Sequence, residues 1–345
     1  MRNAMLAATM LAMFTFPALA QETTVQPQPQ AATQQAMPED GIRTVETVVV
    51  DGEQPGPGLW LVRNGQHDLY ILGTLRPLPA NMQWQSAQVE RVLAGAQEVI
   101  RMRLQISADV GYLKGLLLLP RMLGARKNPD GKSLQEVVSP QSYARWQVLK
   151  ARYIGNDRGV EKWRPLFAAQ ELYKAAMKKS GLDNAKSVGP VIAKAIEAHH
   201  PAVTVVEEVI LIKDPKSVLK EWSKTTVDDL ACFDNAMRVI ESDLDIMRAR
   251  ANAWATGDMA ALQALPTAAQ AEVCINAISE TAIGKRLGYG NAQRNLKAKW
   301  LAAAEAALAN NTVTFATLDI SDMLGANGYL AALKAKGYTV IAPDE

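Results

Sequence analysis

Leu59-Trp60-Leu61-Val62-Arg63-Asn64-Gly65-Gln66-His67-Asp68-Leu69-Tyr70-Ile71-Leu72 is the stretch on which the fold turns. Two short apolar runs, 59–62 and 69–72, flank a polar segment that contains Asn-Gly, a dipeptide that tolerates positive φ and suits a tight turn. The spacing predicts a β-hairpin. Gly73-Thr74-Leu75-Arg76-Pro77-Leu78-Pro79 follows, and its Pro-Leu-Pro marks a sharp exit from the second strand into a loop.

Outward from the hairpin, apolar periodicity predicts a helix over 86–96 and a strand over 98–102. From 113 to 198 the period is helical, broken at Pro120, Asn128-Pro129-Asp130-Gly131, Pro140, Pro165 and Gly189-Pro190. Val203-Thr204-Val205-Val206 reads as a buried strand, and two or three helices are expected over 216–282. The last unit reads as a helix over 291–309, a strand over 313–318, a helix over 329–335 and a strand over 338–341. Strands near both ends with helices between imply an α/β fold, a mixed central sheet built from N- and C-terminal segments with a large helical insertion over about 107–200.

The first twenty residues read as a signal peptide. Arg2 is the positive start, residues 4–16 are apolar, and Ala18-Leu19-Ala20 is a small-x-small cleavage site. An uncleaved anchor is the alternative, but the apolar run is short for a hydrocarbon layer of about 30 Å. Cleavage after Ala20 places the chain in a periplasm or outside the cell. Residues 21–44, rich in Gln, Thr, Pro and Ala, read as a leader with too little apolar surface to offset its chain entropy. A single domain is expected over 45–345, opening with the β-branched run Val45-Glu46-Thr47-Val48-Val49-Val50.

Cys232 and Cys274 are the only cysteines, and in an oxidising compartment a disulfide between them is expected. The chain has 37 basic, 35 acidic and 3 His residues in 345, a formal net charge of +2. That balance speaks against a surface built for nucleic acid or an anionic membrane. Two cysteines exclude a four-thiolate zinc site. No Gly-x-Ser-x-Gly elbow, P-loop or Gly-x-Gly-x-x-Gly occurs. Gly288-Tyr289-Gly290 reads as a helix-initiating turn. The basic group Arg121, Arg126, Lys127 and Lys132 reads as a solvated loop. Leu116-Leu117-Leu118-Leu119-Pro120-Arg121-Met122-Leu123 is expected to be buried in the helical layer, with a partner surface as the alternative. Trp146, Trp163, Trp222 and Trp254 read as packing residues.

Taken in order, several of these segments resemble the TraB/GumN family, related to the TIKI metalloproteases. They are Gly58-Leu59-Trp60 with the hairpin and the Gly73-Thr74-Leu75-Arg76 turn; Pro201-Ala202-Val203 through Glu207; Arg294-Asn295 with Trp300; residues 314–325 with Gly328-Tyr329-Leu330; and Lys336-Gly337-Tyr338-Thr339-Val340. The resemblance covers about 57–342. It implies a metal-dependent peptidase site built on a Gly-Thr-x-His turn, a strand ending in a catalytic Glu, and a second Gly-x-x-His.

At the positions implied by the resemblance this chain has Arg76 for the first His, Arg101 for the Glu and Asp322 for the second His, with Asp319 where the second motif's glycine falls. Glu207 and Arg294 remain polar positions of the pattern, and Gly73 opens the first motif. Arg76, Arg101 and Asp322 sum to +1 (+1, +1, −1). Guanidinium offers no lone pair and stays protonated. A cation beside it meets repulsion of about 4 kcal/mol per close unit charge at an effective dielectric near 20. No metal or other cofactor is therefore expected at that location.

Three readings of the replaced site are open at this stage. Arg76 or Arg101 could pair with Asp322 or Glu207 as a structural network. Arg76, Arg101 and Arg294 could converge on a carboxylate, phosphate or peptide terminus. Glu207, Asp319 or Asp322 could serve a hydrolase that works without the family metal, or with a relocated one. The expectation is a degenerate, non-catalytic member that binds a peptide, anion or protein partner at the former cleft.

Overall fold

The hairpin forms as read. In the computed structural model, which describes residues 56–183, 188–266 and 270–343, β1 (Leu59–Asn64) and β2 (His67–Thr74) pair antiparallel from Leu59↔Leu72 to Asn64↔His67, with Gly65 at φ 61° in the turn. The segments read as signal peptide, leader and the 45–50 strand lie outside the described residues.

Six strands make one mixed sheet. β3 (Leu78–Pro79) and β5 (Leu182–Asp183) stand apart as a short antiparallel pair, so Pro-Leu-Pro is a strand exit that is itself pinned. The main sheet adds β4 (Glu98–Ala108), β6 (Ala202–Ile212), β7 (Val313–Asp319) and β8 (Thr339–Ile341) in the order β6-β4-β7-β2-β1-β8. β2, β7, β4 and β6 run parallel, and β1 is antiparallel to both its neighbours. The sheet thus joins segments from both ends of the chain, the α/β architecture expected from sequence.

Between β3 and β4 lies α1 (Ala87–Gly95). Between β4 and β6 come α2 (Tyr112–Gly124), α3 (Leu134–Val137), α4 (Pro140–Tyr153), α5 (Pro165–Lys179) and α6 (Gly189–His199). Prolines open α4, α5 and sit in the first turn of α6, where the missing N–H costs nothing. After β6 come α7 (Pro215–Trp222), α8 (Leu230–Ser242), α9 (Leu244–Thr256), α10 (Met259–Ala264), α11 (Gln270–Ser279), α12 (Ala282–Arg286) and α13 (Tyr289–Asn310). Gly288, in the left-handed region, starts α13 as expected. α14 (Ile320–Met323) and α15 (Tyr329–Ala335) complete the fold.

Two apolar cores result. In one, β-sheet residues such as Leu69, Ile71, Ile100 and Phe315 pack with Trp254, Trp300 and Leu333. In the other, Trp146, Leu166, Leu172, Phe233 and Met237 pack within the helices, Trp146 against Phe233 at 5.4 Å between ring centroids. Cys232 on α8 and Cys274 on α11 are joined as a disulfide inside this second core.

Three expectations need correction. Among the described residues five helices, α7 to α11, lie over 215–279 where two or three were expected, because Asp214, Asp229, Asp243 and Asp258 each start a new one. β4 and β6 extend six residues beyond the predicted 102 and 206, and residues 101–108 of β4 pair with β6 alone, because β7 leaves β4 after Ile100. The result is a two-stranded ribbon about 26 Å long beyond the common sheet, at about 3.3 Å per residue. The leucine-rich helix α2 is not buried. Leu117 is 72% and Leu123 59% exposed, and among the helix's described leucines only Leu118 turns inward. α2 follows directly on the end of that ribbon, and its exposed leucines find no layer over them among the described residues.

Candidate functional site

Parallel strands end together at one edge of the sheet, and crevices beyond the carboxyl ends of such strands are where open α/β folds collect ligands. Thr74, the last residue of β2, is in register with Asp319, the last of β7, and Arg101 on β4 lies just past the point where β7 departs. A cavity of about 310 Å³ opens there, lined by Thr74, Arg76, Arg101, Thr317 and Asp319, with Val188, Gly189 and Ile192 as its wall from the start of α6. A larger cavity of about 1040 Å³ shares Arg76, Asp183 and Asp319 with it and continues to Tyr173, Lys174, Lys178, Met247, Arg250, Cys274 and Tyr289.

The floor is fixed by hydrogen bonds from distant parts of the chain. Trp254 of α9 donates its indole N–H to the carbonyl of Gly73 at 2.7 Å, and Thr74 Oγ1 donates to the carbonyl of Leu318 at 3.1 Å. Gly73 is packed tightly against two side chains of α14. A Cβ there would stand 3.0 Å from Ile320 Cδ1 and 3.1 Å from Met323 Cε. Asp319 caps α14, with Oδ1 accepting from Ser321 N at 3.0 Å and Ser321 Oγ at 2.6 Å. Gly328 is needed for a different reason, since a Cβ would meet the carbonyl oxygen of Met323 at 2.3 Å.

Charge in the joined cleft is predominantly positive. Arg76, Arg101, Lys174, Lys178 and Arg250 give +5 against −2 from Asp183 and Asp319, a formal +3. Arg76 and Arg101 are exposed, and neither forms an ion pair among the described residues. Arg250 is 8% exposed and donates through one Nη to the carbonyls of Leu262 and Leu265 at 3.0 and 2.8 Å. Burial pushes its guanidinium below the ordinary range, and the charge of Asp319 pulls it back up.

The structure brings together Gly73, Arg76, Arg101 and Asp319 among the residues singled out by sequence. It places the others elsewhere. Glu207 lies two rungs further along β6 from the partner of Arg101, and it pairs with Arg103 at 2.9 Å, so the network expected between Glu207 and Arg76 or Arg101 is not formed. Arg294, on the exposed side of α13, bonds Asn291. Asp322 is in the first turn of α14 and its charge is felt by Tyr329. Neither Arg294, Glu207 nor Asp322 lines the cleft. His67 faces the carbonyl of Asn311 at 2.7 Å, and His199 and His200 end α6 in solvent, so no histidine lines it either.

Lys174, Lys178, Asp183 and Arg250 were not singled out. Lys174 and Lys178 come from α5, Arg250 from α9 and Asp183 from the end of β5, and nothing in their local sequence distinguishes them from ordinary surface charges. A metal fits the donor set poorly. The polar side chains at the carboxyl edge are two guanidiniums, two threonines and two carboxylates, Asp183 and Asp319, the latter already engaged by Ser321, and among the described residues no three His, Cys, Asp or Glu side chains converge as ligands. No step through a metal is derived.

A family model described as the TraB/PrgY/gumN family matches residues 58–342. No curated protein and no solved structure matches the chain. No helix of the described residues is long and apolar enough to cross a membrane.

Proposed function

The chain belongs to the TraB/PrgY/gumN family, and from that premise we propose that it is an exported, non-catalytic member that binds an anionic ligand at the carboxyl edge of its sheet. A carboxylate-bearing peptide is the ligand class. The observation that carries this reading is the pair Arg76 and Arg101, both lining one cavity and neither tied to a carboxylate among the described residues. Arginine forks bind carboxylates through paired N–H donors. The larger apolar-walled cavity beyond, with Met247, Leu75 and Ile278, suits the side chains of such a peptide.

Hydrolysis by Asp319 fits the geometry less well, because its Oδ1 is engaged by both donors of Ser321 in its own helix cap. The disulfide and the lack of a spanning helix among the described residues accord with an extracytoplasmic chain released by cleavage after Ala20.

Calorimetry tests the binding. Short peptides with a free C-terminus, their amidated counterparts, citrate and phosphate are titrated into the purified protein. The free-acid peptide is expected to bind and its amide to bind at least tenfold more weakly. Arg76→Ala/Arg101→Ala should lose about 10- to 100-fold, since a hydrogen bond to a charged group is worth about 1.5–3 kcal/mol. Equal binding by the double variant, or cleavage of the peptide, would overturn the proposal.

A further inference from the structure

Strand β6 is the outer strand of the sheet at one side, and among the described residues no strand pairs with its free edge. Natural edge strands of this length are normally protected by charge, proline or a bulge. Here the outward-facing backbone belongs to the odd-numbered residues. Ala202 N–H points inward, to the carbonyl of Gln97, and N–H direction alternates along a strand. The same odd positions put their side chains on one face, and four of the five are apolar and exposed: Val203 42%, Val205 49%, Val209 45% and Leu211 47%. The fifth, Glu207, is the middle one; its side chain is neutralised by Arg103 of β4, and its outward carbonyl accepts from Lys299 Nζ of α13 at 3.0 Å, which leaves one lone pair for a strand partner.

This row, Val203, Val205, Glu207, Val209, Leu211, is symmetric about its centre. A two-fold axis through Glu207 sets Val203 opposite Leu211 of a second copy and Val205 opposite its Val209. It leaves Glu207 beside its own counterpart, each already paired with an Arg103. Every outward N–H and carbonyl of the row then belongs to a hydrogen-bonded antiparallel pair, and a two-fold contact of one patch with itself is the commonest closed assembly. Shifting the axis by one residue either way places Glu207 against a valine. A lipid surface or a docked helix could cover the valines but would leave the strand's outward backbone groups, other than the Glu207 carbonyl held by Lys299, without partners.

We infer that the protein associates as a symmetric dimer through antiparallel pairing of β6 with β6 of a second copy, centred on Glu207, which joins two six-stranded sheets into one. The inference does not depend on what occupies the cleft.

The test uses the full chain. Sedimentation velocity over a micromolar concentration series should show a dimer. Val205→Pro removes an outward N–H without touching the β4 ladder, and Val209→Lys puts charge in the row; both should sediment as monomers with unchanged far-ultraviolet circular dichroism. Should Val205→Pro fail to fold, Val209→Lys alone carries that arm. Glu207→Cys tests the register, because facing Cα atoms of a hydrogen-bonded antiparallel pair are about 5.5 Å apart, within disulfide reach. It should cross-link to its own kind under mild oxidation, whereas Val205→Cys should not. A monomer at every concentration overturns the inference, whether the edge is then found covered by residues 45–50 or by vesicle lipid. So does a dimer that both substitutions leave intact, or a cross-link at Val205→Cys in place of Glu207→Cys.

Discussion

Trp254 spans 181 positions of sequence to hold one carbonyl, and the loop that carries Arg76 starts from there. Trp254→Phe would leave the Gly73 carbonyl buried without a donor, a loss of about 1–3 kcal/mol before any cavity is counted. The midpoint of chemical denaturation should fall accordingly, and binding of the free-acid peptide should weaken although Trp254 does not line the smaller cavity. Tyr329 gives a second measurable. Its ring packs on Trp300 at 5.0 Å, its hydroxyl meets Met102 Sδ at 3.3 Å, and burial, with the charge of Asp322, pushes it up to about 12. The folded protein therefore keeps a proton that the unfolded chain releases near pH 10, so stability should drop as pH rises from 10 towards 12. Absorbance titration should show a late tyrosine phase that Tyr329→Phe removes, and in that variant the high-pH loss of stability should be smaller. Arg76, Arg101 and Asp319 could be named from the sequence because each stands in or beside a strand whose apolar run is local. What Trp254 does was not legible, because a side chain that reaches a distant carbonyl leaves the same mark in sequence as one that fills a core.

At the scale of elements, local pattern foretold most of the sheet and its flanking helices. The hairpin, α1, α13, β7 and α15 follow from periodicity and turn residues that act within a dozen positions. β4 and β6 outran their reading because Arg103 and Glu207 look like strand ends until they are set side by side, where each cancels the other's charge. α2 failed in the opposite sense. A run of leucines predicts burial only if some layer is there to bury it, and that depends on where the preceding strand leaves the sheet. The disulfide between α8 and α11 was legible from count and compartment. Its sulfurs close a loop over a separation of 42 residues, so Cys232→Ser/Cys274→Ser should cost about 4 kcal/mol in the chain-entropy account. A lowered thermal midpoint, with the helical signal still present at low temperature, is the expected result.

For the whole molecule, the formal +2 of the complete sequence conceals a cleft that carries +3 by itself. Its two frontal arginines are exposed, so binding there should respond to salt. Affinity for the free-acid peptide should fall as ionic strength rises from about 0.01 M to 1 M, over which the screening length shrinks from about 30 Å to 3 Å. An amidated peptide should show a much flatter dependence. The site could be only partly read in advance for a reason of scale: the sheet supplies one wall, from motifs adjacent to strands, and the helical segments supply the other. Which helical charges turn towards the sheet is decided by packing between two cores.

The larger cavity reaches the second core at Cys274. A guest lying there would stand between solvent and that sulfur, and a small reductant would have to displace it before attacking from that side. Occupancy and the chemical lifetime of the cross-link should thereby be coupled, which the rate of reduction by a small thiol, with and without bound peptide, would measure.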